Sequence, residues 1–330
     1  MALPLWKIRR ELVRFARQIP ELPENLYNLL FATRRYDRQL ASQVRRYDGA
    51  LQGASRVAIF VIFPSSGLLP SHLHTLSYFR SKGYAVQVVS NLPLPDADRE
   101  RLLEQCWRFV ERPNFGYDFG AYREGILDLA DELAGLERLV LINDSTWFPL
   151  PGSRDWLDDV EALDVDFAGA ASHYGAPRPE IERFRSIRWA YGPHHRNFHY
   201  ASFALCLRPG ILRSADFIAY WRTFHLTDKK RRTVRRGEVG LTQWMLSHGF
   251  SHNSTMDLTR LDEDLAELGV PRLLEIAEDM IIPELLHLKE LKATITTQPN
   301  PDKSDLIKFI LLSVARQGAS YALASYATRE

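Results

Sequence analysis

Two acidic turns in this chain could do chemistry together. Asp144 stands alone between Asn143 and Ser145, directly after the apolar run Arg138-Leu-Val-Leu-Ile142. A run of that kind forms a strand buried on both faces. In an open α/β sheet, ligands bind beyond the carboxyl ends of such strands. A lone carboxylate there suits a hard divalent cation, Mg2+ or Mn2+, which takes one or two carboxylates and completes its shell with substrate phosphate oxygens. The second turn is Asn114-Phe-Gly-Tyr-Asp-Phe-Gly120. Gly116 and Gly120 let the backbone pass close to a bound group, while Tyr117 adds a stacking ring and Asp118 a carboxylate. The stretch 107–146 thus reads as strand, glycine-bearing loop, helix, strand and acidic turn, and it is the expected centre of the molecule.

The elements that must position these turns are legible upstream. Arg56-Val-Ala-Ile-Phe-Val-Ile-Phe63 is an apolar, β-branched strand ending at Pro64-Ser-Ser-Gly67. Ser71 to Lys82 reads as a helix with Gly83 at its C-terminus. Tyr84 to Ser90 is the next strand and Asp96 to Glu104 the next helix. This alternation predicts an α/β fold, a mostly parallel sheet flanked by helices. Further strands are expected at Asp166–Ala171 and Tyr200–Leu207, with a helix near Ala215–Phe224. Between the last two strands, residues 172–198 form a long irregular loop rich in Pro, Arg, His and aromatics, and such loops are usually functional. A basic run, Lys229 to Arg236, precedes the helical segment Gly237–Leu246, where Glu238 in the first turn would favour the helix dipole by a few tenths of a kcal/mol.

Composition excludes several classes. The 330 residues are 45% hydrophobic and 25% charged with net charge +1, which gives no global reason to expect nucleic acid. Cys106 and Cys206 alone support no disulfide framework and fit a reducing compartment. No GxGxxG, GxxxxGK[ST] or GxSxG occurs. The first strand does not end in an aspartate nucleophile, and His72/His74 and His194, His195, His199 lack zinc spacing. There is no secretion signal and no apolar run of roughly eighteen residues, so a cytoplasmic location is expected.

Residues 1–50 form an expected basic, helical N-terminal extension, with ten Lys/Arg against four acids up to Arg46. Leu5, Ile8, Leu12 and Phe15 make an apolar stripe flanked by arginine. This stripe either packs on the domain or lies peripherally on an anionic membrane surface. Residues 51–256 are expected to hold the chemistry, and 257–330 to form a helical C-terminal region whose last helix carries Leu306, Ile307, Phe309, Ile310 and Leu311.

Three segments together, RPNFGYDFGAYREGI, LVLINDSTWFPL and GEVGLTQWMLSHGF, resemble the rhamnan synthesis F family of bacterial polysaccharide glycosyltransferases. The resemblance runs from about Arg56 to Phe250, with looser similarity through Asn300-Pro301. More distantly the order of elements is similar to the GT-A nucleotide-sugar fold, so the resemblance implies a GT-A-like sheet with helical appendages. It implies that Asn114-Phe-Gly116 contacts a donor, that Asp144 stands at the metal position, and that Glu238 falls where inverting members keep the general base. Two departures stand out. Asn143-Asp144-Ser145 has one carboxylate where a DXD motif has two, and Asn91 ends the second strand where many relatives have an aspartate.

The implied reaction moves a sugar, rhamnose or a related hexose, from a nucleoside-diphosphate sugar to a hydroxyl of a growing, lipid-linked glycan. Charge on the leaving diphosphate calls for cations, and Arg112 and Arg123 are the expected donor-binding residues with Asn114, Gly116, Tyr117, Asn143 and Ser145. Proton removal calls for a carboxylate base, Glu238 first and Asp118 in reserve. The loop, with His173, Tyr174 and His199, would bind the acceptor. Arg112 and Asp118 have an alternative role as a buried ion pair. Two other functions compete: a sugar nucleotidyltransferase, disfavoured because Phe63-Pro-Ser-Ser-Gly67 lacks a lysine, and a non-catalytic glycan-binding subunit of a polysaccharide assembly complex.

Overall fold

The structure, a computed structural model, describes residues 31–146, 148–149 and 155–319. The N-terminal apolar stripe at Leu5–Phe15 lies outside the described residues. Eight strands form one sheet in the order β1-β4-β3-β2-β5-β9-β6-β10. They are β1 (Arg45–Asp48), β2 (Arg56–Ile62), β3 (Ala85–Ser90), β4 (Arg108–Glu111), β5 (Arg138–Asn143), β6 (Phe167–Gly169), β9 (Ala204–Leu207) and β10 (His252–Ser254), while β7 (Ser172–His173) pairs with β8 (His199–Tyr200). Strands β4, β3, β2 and β5 are mutually parallel, and β6 and β10 run parallel to each other. Only β1 at the edge and β9 between β5 and β6 are antiparallel to their neighbours.

Side-chain alternation along the central strands supplies two cores. Val57, Ile59 and Val61 of β2 and Leu139 and Leu141 of β5 point to one face, against α3 (Tyr117–Asp128), α6 (Ala215–Thr223) and α8 (Gly240–Ser247). Ala58, Phe60, Ile62, Val140 and Ile142 point to the other, against α1 (Pro70–Ser81), α2 (Asp96–Leu103) and α4 (Trp156–Ala162). Strands covered on both faces must be apolar throughout, which is why β2 and β5 carry no alternating polar residue. A short α5 (Pro209–Leu212) precedes α6, and α7 (Lys230–Val234) precedes a π-helical turn, Arg235–Val239.

A third core joins α9 (Leu261–Glu267), α10 (Val270–Asp279), α11 (Leu286–Thr296) and α12 (Lys303–Gln317). Phe184 and Ile187, from within the long loop, belong to this core. Arg185 pairs with Asp305, Lys308 donates to the Ile187 carbonyl, and Arg316 bonds the Pro179 carbonyl. Much of the 172–198 loop is therefore the seat of the C-terminal helices.

Two expected elements differ. Arg45–Asp48, inside the expected helical extension, is an edge strand. Its sequence Arg-Arg-Tyr-Asp has no apolar pattern, and it is held instead by Arg46 bonding Glu124 and Asp128 at 2.5 and 2.7 Å. Tyr200–Leu207 is two strands, β8 and β9, because the chain turns at Ser202 to meet Glu238.

Candidate active site

The sheet reverses its order between β2 and β5: the chain steps from β2 to β3 and β4, then returns by α3 to the other side of β2. Ligands of open α/β sheets bind in the crevice at such a switch point. At the carboxyl ends of these two strands, Asp144 N–H donates to Val61 O at 3.0 Å. Beyond them opens a cleft of about 310 Å3 lined by Asp144, His72, Phe63, Ser65, Ser66 and Phe148 among others.

Asp144 is fixed from both sides. Its Oδ2 accepts from the Phe63 amide at 2.7 Å and lies 3.4 Å from His72 Nε2. The Leu69 amide donates to His72 Nδ1 at 3.2 Å, so the neutral ring carries its proton on Nε2 and directs it at the carboxylate. His72 is 4% exposed. The sequence leaves it among unassigned histidines, and its link to Asp144 joins residues far apart in the chain.

The two acidic turns meet. Asn143 Nδ2 donates to Asp118 Oδ2 at 2.9 Å, and Asn143 Oδ1 accepts from Ser145 N at 3.1 Å and from Ser145 Oγ at 2.5 Å. Asp118 lies in the first turn of α3, after Gly116 and Tyr117 at φ +82° and +52°. A left-handed tyrosine costs roughly 1–2 kcal/mol, and its hydroxyl is anchored to the Asp228 carbonyl at 3.1 Å. Gly120 is needed for close approach, since a Cβ there would sit 2.2 Å from Phe115 O.

Burial raises the Asp118 carboxyl to about 6, and the nearby charges of Asp144 and Glu238 add to it; the Asn143 bond and Lys230 oppose. Asp118 in the folded chain thus binds its proton more tightly than in the unfolded chain, where an aspartate titrates near about 3.9. Keeping it ionised at neutral pH costs stability, and that cost disappears as pH falls from about 6 to about 4. In the ligand-free chain, Asp118→Asn is expected to be more stable than wild type at pH 7.5, by up to about 2–3 kcal/mol, with the gap closing by pH 4. Denaturant melts at the two pH values check this.

Glu238 does not cap a helix. Helix runs from Lys230 to Ser247 through the π-turn, so Glu238 is internal to it, at the kind of bulge often found at functional sites. Its Oε1 accepts from Ser202 N at 3.2 Å and Ser202 Oγ at 2.8 Å, and its Oε2 lies 3.5 Å from His199 Nε2. Next to it, Gly237 is pressed on the Phe119 ring; an added Cβ would be 2.3 Å away. That contact brings Glu238 to the Asp118 turn.

His173, Tyr174 and His199 are brought together as expected residues of one cluster. His173 stacks on His199 with centroids 5.2 Å apart, and Tyr174 contacts His195 and His199 at 5.3 and 5.8 Å. Burial above all pushes His173 down to about 4. Gly318, after α12, closes its other side, for a Cβ there would lie 2.1 Å from the ring.

The two arginines expected to bind the donor are spent elsewhere. Arg112, 2% exposed, donates to Tyr36 Oη at 3.2 Å, to Asn91 Oδ1 and to Phe115 O at 2.5 Å. It forms no pair with Asp118; it holds the glycine loop, and the amide of Asn91 accepts its guanidinium. Arg123, 6% exposed, donates to Trp221 O at 3.0 Å and pairs with Asp37 at 3.0 Å. The cation whose charge Asp118 feels is Lys230, in the exposed basic helix α7. Asn114 is exposed beside the loop.

Among the described residues no three His, Cys, Asp or Glu side chains converge as a metal cage, and no helix is long and apolar enough to cross a membrane. The carboxylates do suit a cation brought in with phosphate oxygens. Oδ2 of Asp144 is held by Phe63 and His72, and the repulsion between Asp144 and Asp118 is what positive charge would relieve.

Comparisons with known proteins bear on the family. The uncharacterized protein y4gN of Sinorhizobium fredii is 32% identical over 249 residues, which is 75% of this chain and 60% of that protein. The chain therefore spans 60% of that relative's length. A mannosyltransferase from Pyrobaculum calidifontis, solved with GDP-Man and Mn2+, is 14% identical with a TM-score of 0.33, covering 97% of this chain and 87% of that one. The mannosyltransferase Ktr4p from S. cerevisiae is 10% identical with a TM-score of 0.27, covering 54% and 62%. TM-scores this low establish no residue correspondence. The family model described as rhamnan synthesis protein F matches residues 86–321, from β3 past α12, and so takes in both acidic turns and Glu238: the chain belongs to that family.

Proposed function

We propose that the chain is a GT-A-like glycosyltransferase that moves a sugar, rhamnose or a related hexose, from a nucleoside diphosphate to a hydroxyl of a growing cell-surface polysaccharide. The observation that carries this reading is the Asn143–Asp118 bond, which joins the glycine loop to the acidic turn at the sheet's switch point. Family membership supports it. The nucleoside diphosphate lies at the carboxyl ends of β2 and β5, with Asp144, which lines the cleft, holding Mg2+ or Mn2+, and with Asn143, Ser145, Gly116 and Tyr117, which do not line it, reaching the phosphates from the adjoining turns. When bound, the cation supplies positive charge against the leaving diphosphate. Lys230 takes the part first expected of Arg112 and Arg123. Glu238 removes the acceptor proton, and the His173–Tyr174–His199 cluster borders the acceptor.

A panel of nucleotide sugars incubated with the chain and Mn2+, without acceptor, tests this. Slow release of nucleoside diphosphate from one of them is expected. Binding without release would identify a glycan- or nucleotide-sugar-binding subunit instead.

A further inference from the structure

Resting on the reading of Glu238 as the base, we propose that His199 is its proton-relay partner, taking up the proton that the carboxylate removes. His199 Nδ1 lies 2.8 Å from the Asn197 carbonyl oxygen. A carbonyl only accepts, so Nδ1 carries the ring hydrogen and Nε2 of the neutral imidazole presents its lone pair. That lone pair faces Glu238 Oε2 at 3.5 Å. Oε1 is already held by the Ser202 amide and hydroxyl, which leaves Oε2 as the basic oxygen.

A second carboxylate near Glu238, Asp118, is engaged by Asn143. His173, stacked on His199 from β7, stays neutral, because burial and then the charges of His199 and Arg178 oppose its protonation. Tyr174 from the loop leans on His199 and is capped by the Arg178 guanidinium, 3.5 Å from its ring centre. His195 lies across Tyr174. From α8, Thr242 contributes only a hydroxyl, which accepts from Tyr200 N at 3.1 Å. His199 is 7% exposed, so its proton is exchanged inside the site.

In the step, the acceptor O–H bond breaks as its oxygen bonds the anomeric carbon. The anomeric C–O bond to the diphosphate breaks and its electron pair leaves with the diphosphate. The proton passes to Glu238 Oε2 and on to His199 Nε2, giving an imidazolium held between Oε2 and Asn197 O. It is lost to water before the next turnover.

Two measurements on the full chain test this. The first uses 15N-labelled histidine, with the His199 resonance identified by its loss in His199→Gln. The neutral ring should carry hydrogen on Nδ1 and none on Nε2; the opposite tautomer would overturn the relay whether or not the chain turns over. The second uses release of nucleoside diphosphate from dTDP-rhamnose and GDP-mannose. His199→Gln should lower kcat by up to about 100-fold with donor KM unchanged. Free imidazole should restore part of the turnover of His199→Ala. An unchanged kcat in His199→Gln, beside an inactive Glu238→Gln, overturns the relay alone. An active Glu238→Gln overturns the base itself.

Discussion

Glu238→Gln lowers kcat by about 10²–10⁴-fold, the range expected for loss of a general base, while the donor binds as before. The structure makes this a clean substitution. The amide oxygen of Gln can accept the same two bonds from Ser202 that Oε1 accepts, at 3.2 and 2.8 Å. Its amide nitrogen can donate to His199 where Oε2 now lies. Shape and hydrogen bonding survive, and stability should stay within about 0.5 kcal/mol of wild type. What disappears is basicity. A loss of donor affinity with kcat intact would instead place Glu238 at the donor.

Asp144→Asn is the second large effect, and it falls on binding. Phe63 N–H and His72 Nε2–H both point at one oxygen of Asp144, and an amide oxygen can receive them. The turn therefore keeps its form and loses only its negative charge. Nucleotide-sugar affinity should fall at least about 10–100-fold, as metal sites do when their ligand sphere is damaged, and Mg2+ or Mn2+ should no longer enhance binding. Calorimetric titration with and without EDTA reads both. Activity indifferent to the chelator and to the substitution would remove the cation from the account.

What the sequence disclosed follows from where each signal resides. β2 and β5 are apolar because both sheet faces are covered, so their identity is written locally. The acidic turns are legible for the same reason, since they follow immediately on such strands. Arg112 and Arg123 show the opposite case. A cation is visible in a sequence, but Tyr36, Asn91 and Asp37, which consume these two, are distant residues brought in by the fold. The π-turn at Arg235–Val239 was hidden as well, because one extra residue in a helical turn leaves hydrophobic periodicity nearly unchanged. The link from His72 to Asp144 is not legible in the sequence because it depends on a back-bond from Leu69 and on a carboxylate at the end of another strand. The charge of Lys230 beside Asp118 could have been suspected from the basic run Lys229–Arg236, but only the packing of α7 near α3 places it there.

The account rests on a diphosphate held where β2 and β5 part company. Thermal denaturation of the wild-type chain with a nucleoside diphosphate, with and without Mn2+, tests it most directly. A ligand at one hundred times its Kd stabilises the fold by about 2.7 kcal/mol. The account predicts a rise in Tm that is largest with Mn2+ present and absent in Asp144→Asn. No rise with any nucleoside diphosphate, or an equal rise in Asp144→Asn, would contradict it.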